Sequence, residues 1–89
     1  MIIDKINHLA GIYLLSPERV SDIVACIILD LEDTFDHVYK DFEKWELTRI
    51  YDKDMKLNLE DYLLFKQIDE IFLMKFISKL KTMNSIEVN

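Results

Sequence analysis

Turn-formers and cross-linkers are nearly missing from this chain: its 89 residues include one Gly, one Pro and one Cys. A lone Cys26 builds no disulfide framework, and no Cys/His cluster accompanies it to hold a structural zinc ion. One Gly and one Pro are too few to punctuate an all-β fold, which needs turn residues at every hairpin. Long hydrophobic runs are missing as well. The longest, Ile23 to Leu29, falls far short of the roughly 20 residues that cross a membrane. The N-terminal stretch MIIDKINHLAGIYLLSPER carries Asp4 and Lys5 early and lacks both a basic leader and an unbroken apolar stretch, so it does not read as a signal peptide. Basic charge is scarce too, with 11 Lys and Arg against 17 Asp and Glu. The resulting net charge of −6 repels phosphate backbones and anionic membrane surfaces alike. It favours a basic protein partner, or simply solubility. These exclusions predict a single cytoplasmic domain over 1–89, with Cys26 reduced.

With 51% apolar and 11% aromatic residues, the chain is too hydrophobic for disorder. The expected fold class is all-α, a small bundle of three to four helices. Residues 2–14 form an apolar-rich first helix that Gly11 weakens near its end. Ser16-Pro17-Glu18 then starts a second: Ser16 caps, Pro17 at the first helical position loses no needed N–H, and Glu18 favours the positive end of the dipole. No breaker follows until about Trp45. Val20, Val24, Ile27, Leu31, Phe35, Val38, Phe42 and Trp45 recur every three or four residues, which predicts one long central helix over about 17–45. Within it, Ile23 to Leu29 is apolar on every side, so this stretch is either the centre of the bundle or part of an interface. Residues 46–58 continue as helix or form a loop, with a turn around Asp52-Lys53-Asp54. Asn58, with Asp61 three residues on, caps a C-terminal helix over about 59–82, followed by a frayed tail. Phe65, Phe72, Phe76, Leu80 and Met83 give that helix one wide apolar face. Leu63, Ile71 and Met74 give it a second, narrower stripe.

No constellation of catalytic residues emerges, and the chain does not read as an enzyme. Asp33, His37 and Asp41 share one helix side at i, i+4 and i+8, a spacing that can hold a divalent ion but that an acidic, solvated helix face also produces. The di-iron signature Glu-x-x-His is missing. Cys26 lies among apolar and acidic neighbours, which suits a buried structural thiol rather than a nucleophile. Asp69 falls inside the aromatic face of the last helix and needs a partner there: Arg19, Arg49 or a tyrosine hydroxyl. The segment IYDKDMKLNLEDYL resembles a degenerate EF-hand, with Asp52 and Asp54 at its entry and Asp61 at its exit. Calcium needs about six to eight oxygens and a glycine midway in the loop. The shortened segment lacks that glycine and a middle ligand. No metal or cofactor is therefore expected.

What remains is surface. Residues 1–54 hold 12 acids and 6 bases, hence all of the −6, while residues 55–89 hold 5 of each. The acids concentrate on the outer side of the long helix, beside aromatic residues. Aromatic anchors give binding area, and charges of one sign steer a basic partner. Asp33, Asp36, Tyr39, Asp41, Glu43 and Trp45 are the expected partner-binding residues.

A short, acidic, single-domain chain without catalytic motifs resembles the immunity proteins of bacterial toxin systems, of the colicin and contact-dependent-inhibition kind, in size and charge over its whole length. Antitoxins and phage-encoded inhibitors share that description. The resemblance implies a helical protein that places carboxylates in the cationic groove of a toxin nuclease. Two other readings are a calcium-responsive helical regulator and a structural subunit or homodimer that uses the Leu63, Ile71 and Met74 stripe.

Overall fold

The computed structural model describes residues 2–35 and 42–88. They form four helices, α1 (Ile2–Ile12), α2 (Pro17–Phe35), α3 (Phe42–Arg49) and α4 (Leu59–Val88). The protein is a small all-α bundle. Its longest dimension is 45 Å, about the length of a 30-residue helix at 1.5 Å per residue. α4 is therefore the spine: α1 and α2 pack against it, and α3 packs against α2 and reaches α4 through its side chains.

The helix starts follow the sequence signals. Ser16 Oγ accepts the Arg19 N–H at 3.2 Å, with Pro17 opening α2. At α4, Asn58 and Asp61 cap reciprocally: Asn58 Oδ1 accepts the Asp61 N–H at 2.8 Å, and Asp61 Oδ2 accepts the Asn58 N–H at 3.2 Å. α4 runs on through the expected frayed tail to Val88, since nothing after Thr82 breaks a helix. α1 ends at Ile12, and Leu14 forms its cap. Leu14 takes a left-handed φ of 55°. The N–H groups of Leu14 and Leu15 then close onto the carbonyls of Gly11 and Ala10 at 3.3 and 2.9 Å, the two bonds of a Schellman cap.

The stretch expected as one helix over about 17–45 holds two, α2 and α3. They pack against each other, which two parts of one straight helix, separated along its axis by about 10 Å, do not do. The change of direction lets Phe42 and Trp45 turn into the core. There they join Ile2 and Ile6 of α1, Ile23, Ile27, Ile28 and Leu31 of α2, and Phe65, Ile68, Phe72, Phe76 and Leu80 of α4. The Trp45 ring stacks on Phe42 at 5.3 Å between centroids and meets Phe72 at 5.5 Å.

The apolar run from Ile23 to Leu29 is buried on one side only. Ile23, Ile27 and Ile28 enter the core, whereas Leu29 and Cys26 are exposed. The expected buried thiol is thus corrected. Cys26 lines a hollow of about 430 Å³ between α2 and the far half of α4, with Arg19, Asp22 and Lys79. So short a chain has too few helices to wrap α2 on all sides. Among the described residues, no helix is long and apolar enough to cross a membrane.

Candidate functional site

Two layers of charge lie along α3. The inner layer ties α3 to α4. Lys44 donates to Asp61 Oδ2 at 2.8 Å, so the same carboxylate that caps α4 also receives a cation from α3. Asp61 is buried, and its carboxyl is held below the ordinary carboxylate range by the hydrogen bond from Lys44 and then by the Asn58 N–H. One helical turn on from Trp45, the Arg49 guanidinium sits 5.5 Å from the centroid of the Phe65 ring. Its Nε lies 3.7 Å from Asp69 Oδ2. Asp69 Oδ1 accepts the Trp45 indole N–H at 2.7 Å.

Asp69 is therefore paired as its place in the aromatic face requires, and Arg49 is one of the three partners the sequence offers. The indole donor is the part that sequence reasoning missed. Its signal is Trp45 itself: a large aromatic with a polar N–H needs an acceptor when buried, and Asp69 is the odd acid on the facing helix.

The outer layer is acidic. Glu32 and Asp33 on α2 and Glu43 on α3 are exposed, and Glu46 is half-buried near Glu32 and Glu43. Burial, and then the charges of Glu32 and Glu43, raise the Glu46 carboxyl above its ordinary range. Carboxylates from two helices thus crowd one another. Among the described residues, none of these four takes part in an ion pair; the pairs of this region join Lys44 to Asp61, Arg49 to Asp69 and Lys75 to Asp30. Both cations of α3 that meet a partner are drawn to α4, which leaves the outer face more one-sided than the residue count alone implies.

Of the six expected partner-binding residues, Glu43 lies in this acidic cluster, and Asp33 is exposed on α2. Asp36, Tyr39 and Asp41 lie outside the described residues. Trp45 is corrected: it is fully buried, 0% exposed, and anchors the core instead of a partner. Its position extends the apolar stripe of α2 in the sequence, so the pattern fits a core residue as well as a surface one. Among the described residues, the exposed aromatic nearest in sequence is Tyr51. It precedes Asp52, which has a left-handed φ of 53°. The N–H groups of Tyr51 and Lys53 close onto the carbonyls of Glu46 and Leu47. Beyond it, the loop over 52–58 and Tyr62 border a shallow hollow of about 330 Å³ that includes Asp52 and Asp54.

The EF-hand resemblance meets a physical obstacle in this geometry. Asp61, its exit carboxylate, is engaged by Lys44 and by the Asn58 N–H. Among the described residues, no group of three or more His, Cys, Asp or Glu side chains converges as a metal site. Compared with known proteins, the chain matches no family, no curated protein and no solved structure.

Proposed function

We propose that the protein binds a basic protein through the acidic outer face of α2 and α3, as a stoichiometric inhibitor of the immunity or antitoxin kind. The natural target is a toxin nuclease, whose cationic substrate groove the carboxylates would fill. The observation that carries this reading is the unneutralised crowding of Glu32, Glu43 and Glu46, which adds to burial in holding Glu46 above its ordinary range. Like charges held together weigh against the folded chain, and a cationic partner relieves that repulsion. Tyr51, exposed beside Asp52 and Asp54, supplies the aromatic contact that Trp45 does not.

The test is to capture the protein with its partner from its native host and assay the partner's hydrolysis of nucleic acid with and without this chain. The reading expects a basic protein whose nuclease activity falls to zero at one equivalent. Capture of an acidic or uncharged partner, or undiminished nuclease activity at saturation, contradicts it.

A further inference from the structure

The stripe expected at Leu63, Ile71 and Met74 is interrupted, because Ile71 packs against the core. Apolar surface gathers instead around one hollow of about 470 Å³, lined by Ile3, Ala10 and Gly11 of α1, Val20 and Val24 of α2, and Ile50 just past α3. Ile3, Val20, Val24 and Ile50 pack against the core yet are only half-buried, so the hollow is a dent in the rim of the core. None of the side chains that line it is charged.

This hollow adjoins the acidic cluster. The Ile50 N–H closes onto the Glu46 carbonyl at 2.9 Å, so Ile50 continues the helical spacing of α3. Glu43, Glu46 and Ile50 follow one another by three and four residues and share one side of that helix. Along the axis Glu46 and Glu43 lie about 6 and about 10 Å from Ile50. On α2, Val24 lines the hollow, and Glu32, about two turns further on, is close enough to Glu46 to raise its carboxyl. Hollow and carboxylates are therefore the two ends of one seam between α2 and α3. These ends select an occupant. A second copy of this chain, with its net charge of −6, or an anionic membrane would meet Glu32, Glu43 and Glu46 with like charge. A segment that carries an apolar side chain beside cations matches both ends.

We infer that the hollow receives an apolar anchor residue from a helical segment of the basic partner, whose Lys or Arg residues four and seven positions from that anchor reach Glu46 and Glu43. The inference rests on the reading of the acidic face as a site for a basic protein, and it names the element which that face recognises. Steps of four and seven residues return to the same side of a helix, so one surface of the segment presents the anchor and both cations. A leucine or phenylalanine side chain fits the hollow. Its burial contributes the larger share of the affinity, since exposed ion pairs contribute little each. The charges set the orientation and the speed of association.

The experiment titrates the purified chain against a fluorescently labelled, alanine-based helical peptide of about 20 residues. The peptide carries one Leu, with Lys four and seven residues away on either side, so it matches the seam in both orientations. A second peptide has Ala in place of that Leu. Fluorescence anisotropy should show the Leu peptide binding at least tenfold more tightly than the Ala peptide, the effect of burying one large apolar side chain. Gly11→Phe and Ser21→Phe fill the hollow from its α1 and α2 walls. Nothing lies within 4 Å of the position a Cβ on Gly11 would take, and Ser21 is exposed. Both variants, their helical fold verified by circular dichroism, should lose the preference for the Leu peptide and keep their binding of the Ala peptide. Equal affinity for the two peptides, no binding of the Leu peptide at near-millimolar chain, or an undiminished preference in both filled variants overturns the inference. Glu43→Lys should weaken both peptides. Unchanged binding of both by that variant overturns the acidic-face reading rather than the anchor.

Discussion

Leu14 holds the left-handed conformation that glycine adopts without cost, and it points an apolar side chain, 91% exposed, into solvent. For a non-glycine residue that conformation costs about 1–2 kcal/mol, and no packing offsets it here. Leu14→Gly should raise stability by about 1 kcal/mol, net of the extra freedom glycine gains when unfolded; a lower denaturant midpoint would contradict this. Trp45 is the opposite case, a side chain on which several interactions converge. It stacks on Phe42, touches Phe72 and donates to Asp69. Trp45→Phe should cost about 2–4 kcal/mol, by removing buried volume and leaving Asp69 Oδ1 without its donor. A shift of the urea midpoint worth less than about 0.5 kcal/mol would show that the indole hydrogen bond is open to water. The burial of Trp45 was not legible in the sequence, because an apolar stripe at helical spacing does not record where the axis turns. The need of Asp69 for a partner was legible, from one acid set among aromatics on a single helix face.

At the level of the helices, Asp61 and Glu46 make stability depend on pH with opposite signs. Asp61 is held below the ordinary carboxylate range by Lys44 and the Asn58 N–H. Its contribution is complete above the unfolded carboxylate value of about 4 and is lost as the pH falls through its lowered folded value. Asp61→Asn should therefore lower stability at neutral pH and flatten the acid limb of the unfolding curve. Glu46 is raised by burial and by Glu32 and Glu43, so its ionisation weighs against the fold as the pH rises through its folded value. Glu46→Gln should raise the thermal midpoint at pH 7 and leave it unchanged in acid, where both side chains are neutral. A midpoint that drops at pH 7 would mean the carboxylate makes a favourable contact there. The starts of α2 and α4 were legible, since Ser16-Pro17 and Asn58/Asp61 act through local geometry. The separation of α2 from α3 was not, for no Gly or Pro marks it and its energetic reason is the burial of Phe42 and Trp45 against α4.

Over the whole molecule, a 30-residue spine and three shorter helices leave an acidic surface on α2 and α3. The net charge of −6 reads in sequence as a bulk property. The structure gives it direction, because Lys44 and Arg49 turn inward to Asp61 and Asp69 while Glu32, Asp33 and Glu43 face solvent. The inward turn was not legible, as it depends on which helix carries the facing acids. Steering by such a face predicts that rim charges act mainly on the association rate and lose their effect as salt screens them.

The most direct test is the association rate of the captured basic partner with the unaltered protein and with the Asp33→Lys/Glu43→Lys variant, followed by stopped-flow fluorescence across a range of salt concentrations. The rate for the unaltered protein should fall steeply with salt. That of the variant should be at least tenfold lower at low salt and nearly flat. A rate independent of salt, or equal rates for the two proteins, would contradict binding through this face.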